Sequence, residues 1–269
     1  MIVTTAGRTN ADMIMKAKQI AEELCIRYVS RKKTSVESLQ KVVHDDILVV
    51  GKNRLEIRPM NGDGPLFFHP NSAMFRVKRI LRGETEPFLQ ATKLTKGMSF
   101  LDCTLGLASD SIVASTVVGP TGCVVGVEGN RYIAYIVKNG LTEWDSGLIE
   151  MNEAMRRITV SHQDYRSFLT SLPDKSFDVV YFDPMFEESI LESDGIKGVK
   201  RFALYTELDE HIFAEAKRVA RKRIVLKDHW KSKRFERFGF SVYVRKTAKF
   251  HFGVIELEEN KNECPIPDG

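Results

Sequence analysis

The chain has 269 residues, 43% of them hydrophobic, and a formal net charge of +4, which suits one large domain or a core domain with a small companion and is too apolar for general disorder. None of its apolar runs approaches the roughly 18 residues needed to cross a bilayer, and Arg8, Asn10 and Asp12 come too early for a signal peptide, so a cytoplasmic protein is expected. Four cysteines without a CxxC pair and six histidines without HxxxH or HxxH spacing argue against a disulfide framework and a zinc site, and no metal is expected.

In chain order, residues 1–65 read as a small α/β unit. Ile2–Thr5 suits a short strand. Asn10 can cap a helix in which Met13, Ile14, Ala17, Ile20, Ala21 and Leu24 recur at helical spacing. Ile26–Ser30 reads as extended, and Ser35 can open a second short helix running to Val43. Ile47–Val50, the Gly51-Lys52-Asn53 turn and Leu55–Ile57 form a hairpin signal, which Asn61-Gly62-Asp63-Gly64-Pro65 interrupts. Residues 66–95 form a helical connector with a basic face (Arg76, Lys78, Arg79, Arg82) and with Met74, Phe75 and Ile80 available for burial.

From Lys96 the pattern alternates between strand and helix. Strands are expected at Ser99–Asp102, Cys123–Glu128, Ile158–Val160, Phe177–Phe182 and Arg223–Lys227, and helices at 109–117, from Arg131, at 165–172 and at 204–219. Phe240–Val244 and Phe250–Leu257 close the unit as an antiparallel pair, and 258–269 read as a disordered tail. Short apolar strands between helices mean an α/β fold, a mostly parallel sheet covered on both faces, with ligands bound at the C-terminal strand ends.

Those strand ends carry the chemistry. Asp102 closes the first, and Cys103-Thr104-Leu105-Gly106 then leads to a helix start at Ser109-Asp110. Glu128 closes the second, where a carboxylate can accept hydrogen bonds from both hydroxyls of a ribose. The third ends near Asp164, which suits an adenine amino group or a helix N-cap. The fourth, Asp178-Val179-Val180-Tyr181-Phe182, releases Asp183-Pro184-Met185-Phe186. The Asp183 carboxylate and the Pro184 carbonyl are acceptors for the two hydrogens of an exocyclic NH2, and Phe186 offers a face on which a planar base can stack. A dehydrogenase is disfavoured, because Gly106-Leu107-Ala108 lacks the spaced third glycine of a dinucleotide fingerprint. From Lys217 to Lys249 thirteen Lys/Arg face two acids, an excess that points to a polyanion.

DCTLGLASDSIV followed by VVYFDPMF, approached by AMFRVKRILRGETEP, resembles the class I S-adenosylmethionine-dependent methyltransferases and, more narrowly, the small-subunit rRNA guanine-N2 methyltransferase family; the likeness runs from about Phe68 to Leu257. Ala108 stands where that family usually has glycine, and Glu187 where proline is common. The resemblance implies a Rossmann-like, mostly parallel seven-stranded sheet with S-adenosyl-L-methionine as cofactor. It assigns Asp102, Thr104, Gly106 and Asp110 to the methionine portion, Glu128 to the ribose, Asp164 to the adenine, and Asp183, Pro184 and Phe186 to the target base. The loop 187–201 would close over the site. The expected partner is RNA, either small-subunit rRNA or the subunit itself, gripped by Arg76, Lys78, Arg79, Arg82, Arg218, Arg221, Lys231 and Arg234. A protein amide or a small molecule presents similar acceptor geometry, and a non-catalytic cofactor-binding RNA module is the alternative from another class.

Overall fold

A computed structural model describes residues 1–60, 64–184 and 208–257. Phe186, the closing loop 187–201, the first turn expected at 204–207 and the tail 258–269 lie outside the described residues. Two sheets organise the molecule, one of five strands and one of seven.

The smaller sheet has the order β2-β1-β3-β4-β5, with β1 (Ile2–Thr5), β2 (Arg27–Tyr28), β3 (Ile47–Val50), β4 (Leu55–Arg58) and β5 (Leu66–Phe67). β1 runs parallel to β2 and β3, and β3 and β4 pair antiparallel as the hairpin signal predicts; β5, antiparallel to β4, is a strand where the sequence reading began the helical connector. Helix α1 (Ala11–Glu23) starts at Asn10, whose side chain accepts the Met13 N–H at 2.9 Å, and α2 (Val36–Val43) starts at Ser35, whose hydroxyl accepts the Ser38 N–H at 3.0 Å.

The connector is two helices, α3 (Asn71–Leu81) and α4 (Pro87–Thr92). Gly83, at φ 77°, ends the first, and Glu86 caps the second with Pro87 at its first position. Phe75 departs from the sequence reading: it is 67% exposed, while Ala73 and Val77 are fully buried. The buried stripe follows the i, i+4 spacing, and a residue two positions along lies on the opposite side of the helix.

The larger sheet has the order β11-β12-β10-β9-β6-β7-β8, formed by β6 (Ser99–Asp102), β7 (Cys123–Glu128), β8 (Ile158–His162), β9 (Phe177–Phe182), β10 (Ala220–His229), β11 (Ser241–Tyr243) and β12 (Phe250–Glu256). β6 to β10 are mutually parallel and the last two strands are antiparallel, so the mostly parallel seven-stranded sheet expected from sequence is present. Helices α5 (Ser109–Val118), α6 (Arg131–Glu143), α7 (Ile149–Arg156), α8 (Tyr165–Ser171), α9 (Glu210–Val219) and α10 (Arg234–Arg237) lie between the strands.

Strand alternation divides the core. Phe100, Val179, Tyr181 and Val225 face one hydrophobic cluster, and Leu101, Val180, Phe182, Ile224 and Leu226 face the other. The first cluster also contains Val3, Leu48 and Ile57 of the smaller sheet, so the two sheets share apolar packing. One contact in this junction is the Phe68 ring against Gly140 of α6: a Cβ built on Gly140 would lie 2.2 Å from Phe68 Cγ. Gly140→Ala is therefore expected to destabilise the chain by about 1–3 kcal/mol despite the better helix propensity of alanine. A midpoint of denaturant unfolding equal to or above the wild-type value would refute that packing account.

Candidate functional site

The strand order reverses between β6 and β9, and the acids found by sequence reading gather at the C-terminal edge there. Asp102 pairs in register with Gly126 of β7 and Tyr181 of β9, so β7 runs two residues and β9 one residue past the tip of β6. Gly126 has a local role: a Cβ there would lie 2.3 Å from Leu105 Cδ1, so its missing side chain lets the turn after β6 seat on β7. Two residues on, on the same strand face, Glu128 accepts the Gly106 N–H at 3.2 Å and the Asn130 N–H at 2.8 Å. Burial pushes its carboxyl up to about 7, against those backbone donors.

Asp102 is nearly fully buried; its carboxylate accepts from Ser111 Oγ at 2.7 Å and from the Thr104 N–H at 3.0 Å. Burial pushes this carboxyl up to about 7 as well, with nearby Asp110 and Asp183 adding to the rise. The Thr104 hydroxyl accepts the Asp183 N–H at 2.6 Å and so ties the first strand tip to the fourth. Asp164 accepts the N–H groups of Arg166 and Ser167, the N-cap of α8. Ala108 sits at φ 62° and ψ 21°, fully buried, ahead of α5. Glycine takes this left-handed conformation freely, whereas alanine pays about 1 kcal/mol for it.

The main difference from the sequence reading concerns Asp183 and Asp110. Asp183 Oδ2 is 2.5 Å from Lys227 Nζ, and the same ammonium is 3.3 Å from Asp110 Oδ2. Asp110 also accepts from Arg76 Nη1 at 2.6 Å and from the Tyr181 hydroxyl at 2.8 Å. Arg76 continues to Glu86 at 2.8 Å. Glu86, Arg76, Asp110, Lys227 and Asp183 thus form a chain of alternating charges along one side of the site. Burial works against the charge on Asp110, but Lys227 and Arg76 outweigh it and hold its carboxyl well below the usual range. Asp183 ends the chain, and burial pushes it up to about 6 although Lys227 opposes the rise. Asp110, assigned to the methionine portion, thus has both oxygens committed to protein donors.

Several residues expected to grip phosphate are also spoken for. Arg76, with a side chain 18% exposed, lies in this inward chain. Arg218 pairs with Glu215 and Asp174 and donates to the Leu169 and Leu172 carbonyls. Arg221 pairs with Asp178, Arg234 with buried Asp228, and Arg79 with Glu84, which also lies 3.6 Å from Arg82. Lys78 is exposed, and Lys231 lies over the ring of Trp230 at 4.9 Å. Sequence reading missed Lys227, which it counted in the basic stretch; an isolated cation at the end of a buried strand, next in register to Asp183, is the signal that would have found it.

Residues 32–251 match the family model described as "Putative SAM-dependent methyltransferase". The chain is 52% identical over 255 residues, 95% of its length and 99% of the relative's, to "Uncharacterized protein YpiP" of Bacillus subtilis. It is 26% identical over 187 residues, 69% of its length and 68% of the relative's, to "Ribosomal RNA small subunit methyltransferase J" of Legionella pneumophila. In fold it is similar to the SAM-dependent methyltransferase NGO1261 of Neisseria gonorrhoeae, with a TM-score of 0.62, 16% identity, and coverage of 95% of this chain and 96% of that one.

The residues present fit S-adenosylmethionine. Glu128 is a carboxylate of the right chemistry for two ribose hydroxyls, and Gly106, at φ 49° with no atom nearer than 3.9 Å to a built Cβ, leaves the backbone open to a ligand beside it. With its Rossmann-like sheet, its strand-tip acids and a family match across most of its length, the chain belongs to the SAM-dependent methyltransferases and uses S-adenosylmethionine as its cofactor.

Proposed function

We propose that the chain methylates an exocyclic amine of an RNA base, namely guanine N2 in small-subunit rRNA. The observation that carries this reading is the Asp183-Pro184 step at the tip of β9, across the reversal in strand order from Glu128 and Gly106. The Asp183 carboxylate and the Pro184 carbonyl are two acceptors, the number needed to receive the two hydrogens of a planar NH2. Bound beside them, S-adenosylmethionine supplies a methyl group already activated on a sulfonium. The protein's task is then to orient the amine, draw its lone pair out of conjugation by accepting both hydrogens, and stabilise the positive charge that grows on nitrogen. The name of the Legionella relative supports rRNA as the substrate. A base inside a helix cannot reach such a pocket, so the target is unpaired or flipped out.

A surface next to Asp183 supports an RNA partner. β10 runs past the register pair Leu226–Phe182 as far as His229, about 10 Å beyond the tip of β9 at roughly 3.3 Å per residue. Trp230 then follows, 50% exposed, with the Lys231 ammonium over its ring. Beyond it Arg245 lies over Phe250 at 4.5 Å, and Tyr243 and Val244 are exposed. Exposed aromatics interleaved with cations suit single-stranded nucleic acid, which stacks on rings while phosphates meet the charges.

Mass spectrometry of rRNA nucleosides from cells with and without the gene tests the function: one lost N2-methylguanosine is the expected result. Methyl label appearing in protein or in a small molecule instead would replace the RNA reading. Reversing Lys231, Arg245 and Lys246 to glutamate is expected to lower RNA affinity at least tenfold and to flatten its salt dependence, by about 0.7 in log–log slope for each phosphate no longer neutralised. An unchanged slope would move the RNA surface elsewhere.

A further inference from the structure

The geometry points to Lys227 as a positioning residue for the methyl acceptor: by holding Oδ2 of Asp183 it fixes that carboxylate as an anion with Oδ1 kept for the amine. This rests on the proposed amine-methylating role of Asp183. Lys227 follows Leu226, which pairs in register with Phe182, so its side chain leaves β10 beside Asp183. It is anchored from three directions, by Asp183 Oδ2 at 2.5 Å, by Asp110 Oδ2 at 3.3 Å and by the face of Phe250 at 4.9 Å. Its side chain is only 18% exposed, so the pair is little weakened by water. The Asp183 N–H is fixed separately by the Thr104 hydroxyl, and no described residue donates to Oδ1. One oxygen is therefore clamped and the other keeps its acceptor capacity.

The clamp is itself braced. Asp110 is held by Arg76 and Tyr181, and Arg76 by Glu86, so Lys227 cannot swing away from Asp183 without leaving Asp110 as well. Among the described residues, the charged and titratable groups around Asp183 are Lys227 of β10, Asp110 of α5, Arg76 of α3, Asp102 of β6 and Tyr181 of β9. The carboxylates among them favour a protonated Asp183, as does burial, and the two cations oppose it. A protonated Asp183 would offer one hydrogen where the amine needs an acceptor. Without the Lys227 charge, Asp183 is expected to keep its proton to higher pH.

The test uses the full chain carrying 13C-labelled aspartate, with the Asp183 carboxyl resonance identified by its loss in Asp183→Asn. Titration without cofactor is expected to show the Asp183 midpoint rising by one to two pH units in Lys227→Met and returning towards wild type in Lys227→Arg. Methyl transfer by Lys227→Met should then fall about two- to tenfold at pH 7, and the deficit should close by about pH 9 as Asp183 ionises. A merely structural lysine would give a deficit that does not depend on pH. An Asp183 midpoint that stays put in a folded Lys227→Met, or a loss not recovered at high pH, overturns the inference. If the midpoint moves but neither wild type nor variant methylates RNA, the clamp stands and the RNA reading falls.

Discussion

Asp183→Ala is expected to abolish methyl transfer, by about 10³-fold or more, while S-adenosylmethionine still binds with near wild-type affinity. The two effects separate because Asp183 stands at the tip of β9, across the reversal in strand order from Glu128 and Gly106. The fold should survive, since Lys227 keeps Asp110 as a partner and Asp110 keeps Arg76 and Tyr181. Asp183→Asn makes a sharper comparison. The amide oxygen remains an acceptor, but the negative charge and the pair with Lys227 are lost, so an intermediate rate is expected. The wild-type rate should also fall as pH drops through about 6, because there Asp183 takes up a proton and stops accepting. Single-turnover transfer from labelled cofactor, with calorimetry on the same samples, measures both quantities. Turnover by Asp183→Ala within tenfold of wild type would remove this carboxylate from the reaction.

The second large effect is expected at Glu128. Its two oxygens already take the Gly106 and Asn130 N–H groups, and each can still accept a ribose hydroxyl on its second lone pair. Losing two charge-assisted hydrogen bonds at about 1.5 kcal/mol each gives an affinity loss of roughly 10²-fold in Glu128→Ala. The pH dependence has a definite sign. Burial raises this carboxyl to about 7, so cofactor affinity should weaken as pH falls below 7 and the group protonates. In the unliganded chain the same shift means that the folded state keeps its proton longer than the unfolded one. The contribution of Glu128 to stability therefore declines as pH rises from 4.5 to about 7. Calorimetry from pH 6 to 8 tests this, and an affinity that is flat across that range in wild type would contradict the ribose assignment.

What could be read from sequence was whatever is encoded locally. Asn10 and Ser35 cap helices because a side-chain oxygen three residues before an N–H needs no tertiary context. The acids Asp102 and Glu128 could be found because each ends a short apolar strand. Helix α7 escaped notice because its N-cap residue, Leu148, has no side-chain oxygen to mark the start, and the helix buries only Met151, Ala154 and Met155. The buried charges were hidden for a different reason. Arg76 and Asp110 are 34 residues apart, and Lys227 and Asp183 are 44 apart, so their pairing is a property of sheet order and not of any motif. Read as a row of cations, Lys217 to Lys249 looked like a single binding face, whereas Arg218, Arg221, Arg223 and Lys227 are held by acids outside that stretch, and Arg234 by Asp228 within it. Net charge along a sequence counts such residues as free and cannot show which are already neutralised.

Because Arg76 reaches from α3 to Asp110, the connector is wired into the electrostatics of the pocket. A portable catalytic fragment cut at residue 95 would keep Asp110, Lys227 and Asp183 but lose the guanidinium that balances them, along with the Phe88 ring packed edge-on against Phe100 and Tyr181. Two carboxylates would then share one ammonium, and in the excised piece Asp183 is expected to keep its proton to higher pH than in the intact enzyme. The segment ahead of the nucleotide fold thus works as a built-in counterion, and any attempt to transplant the activity would have to carry it along.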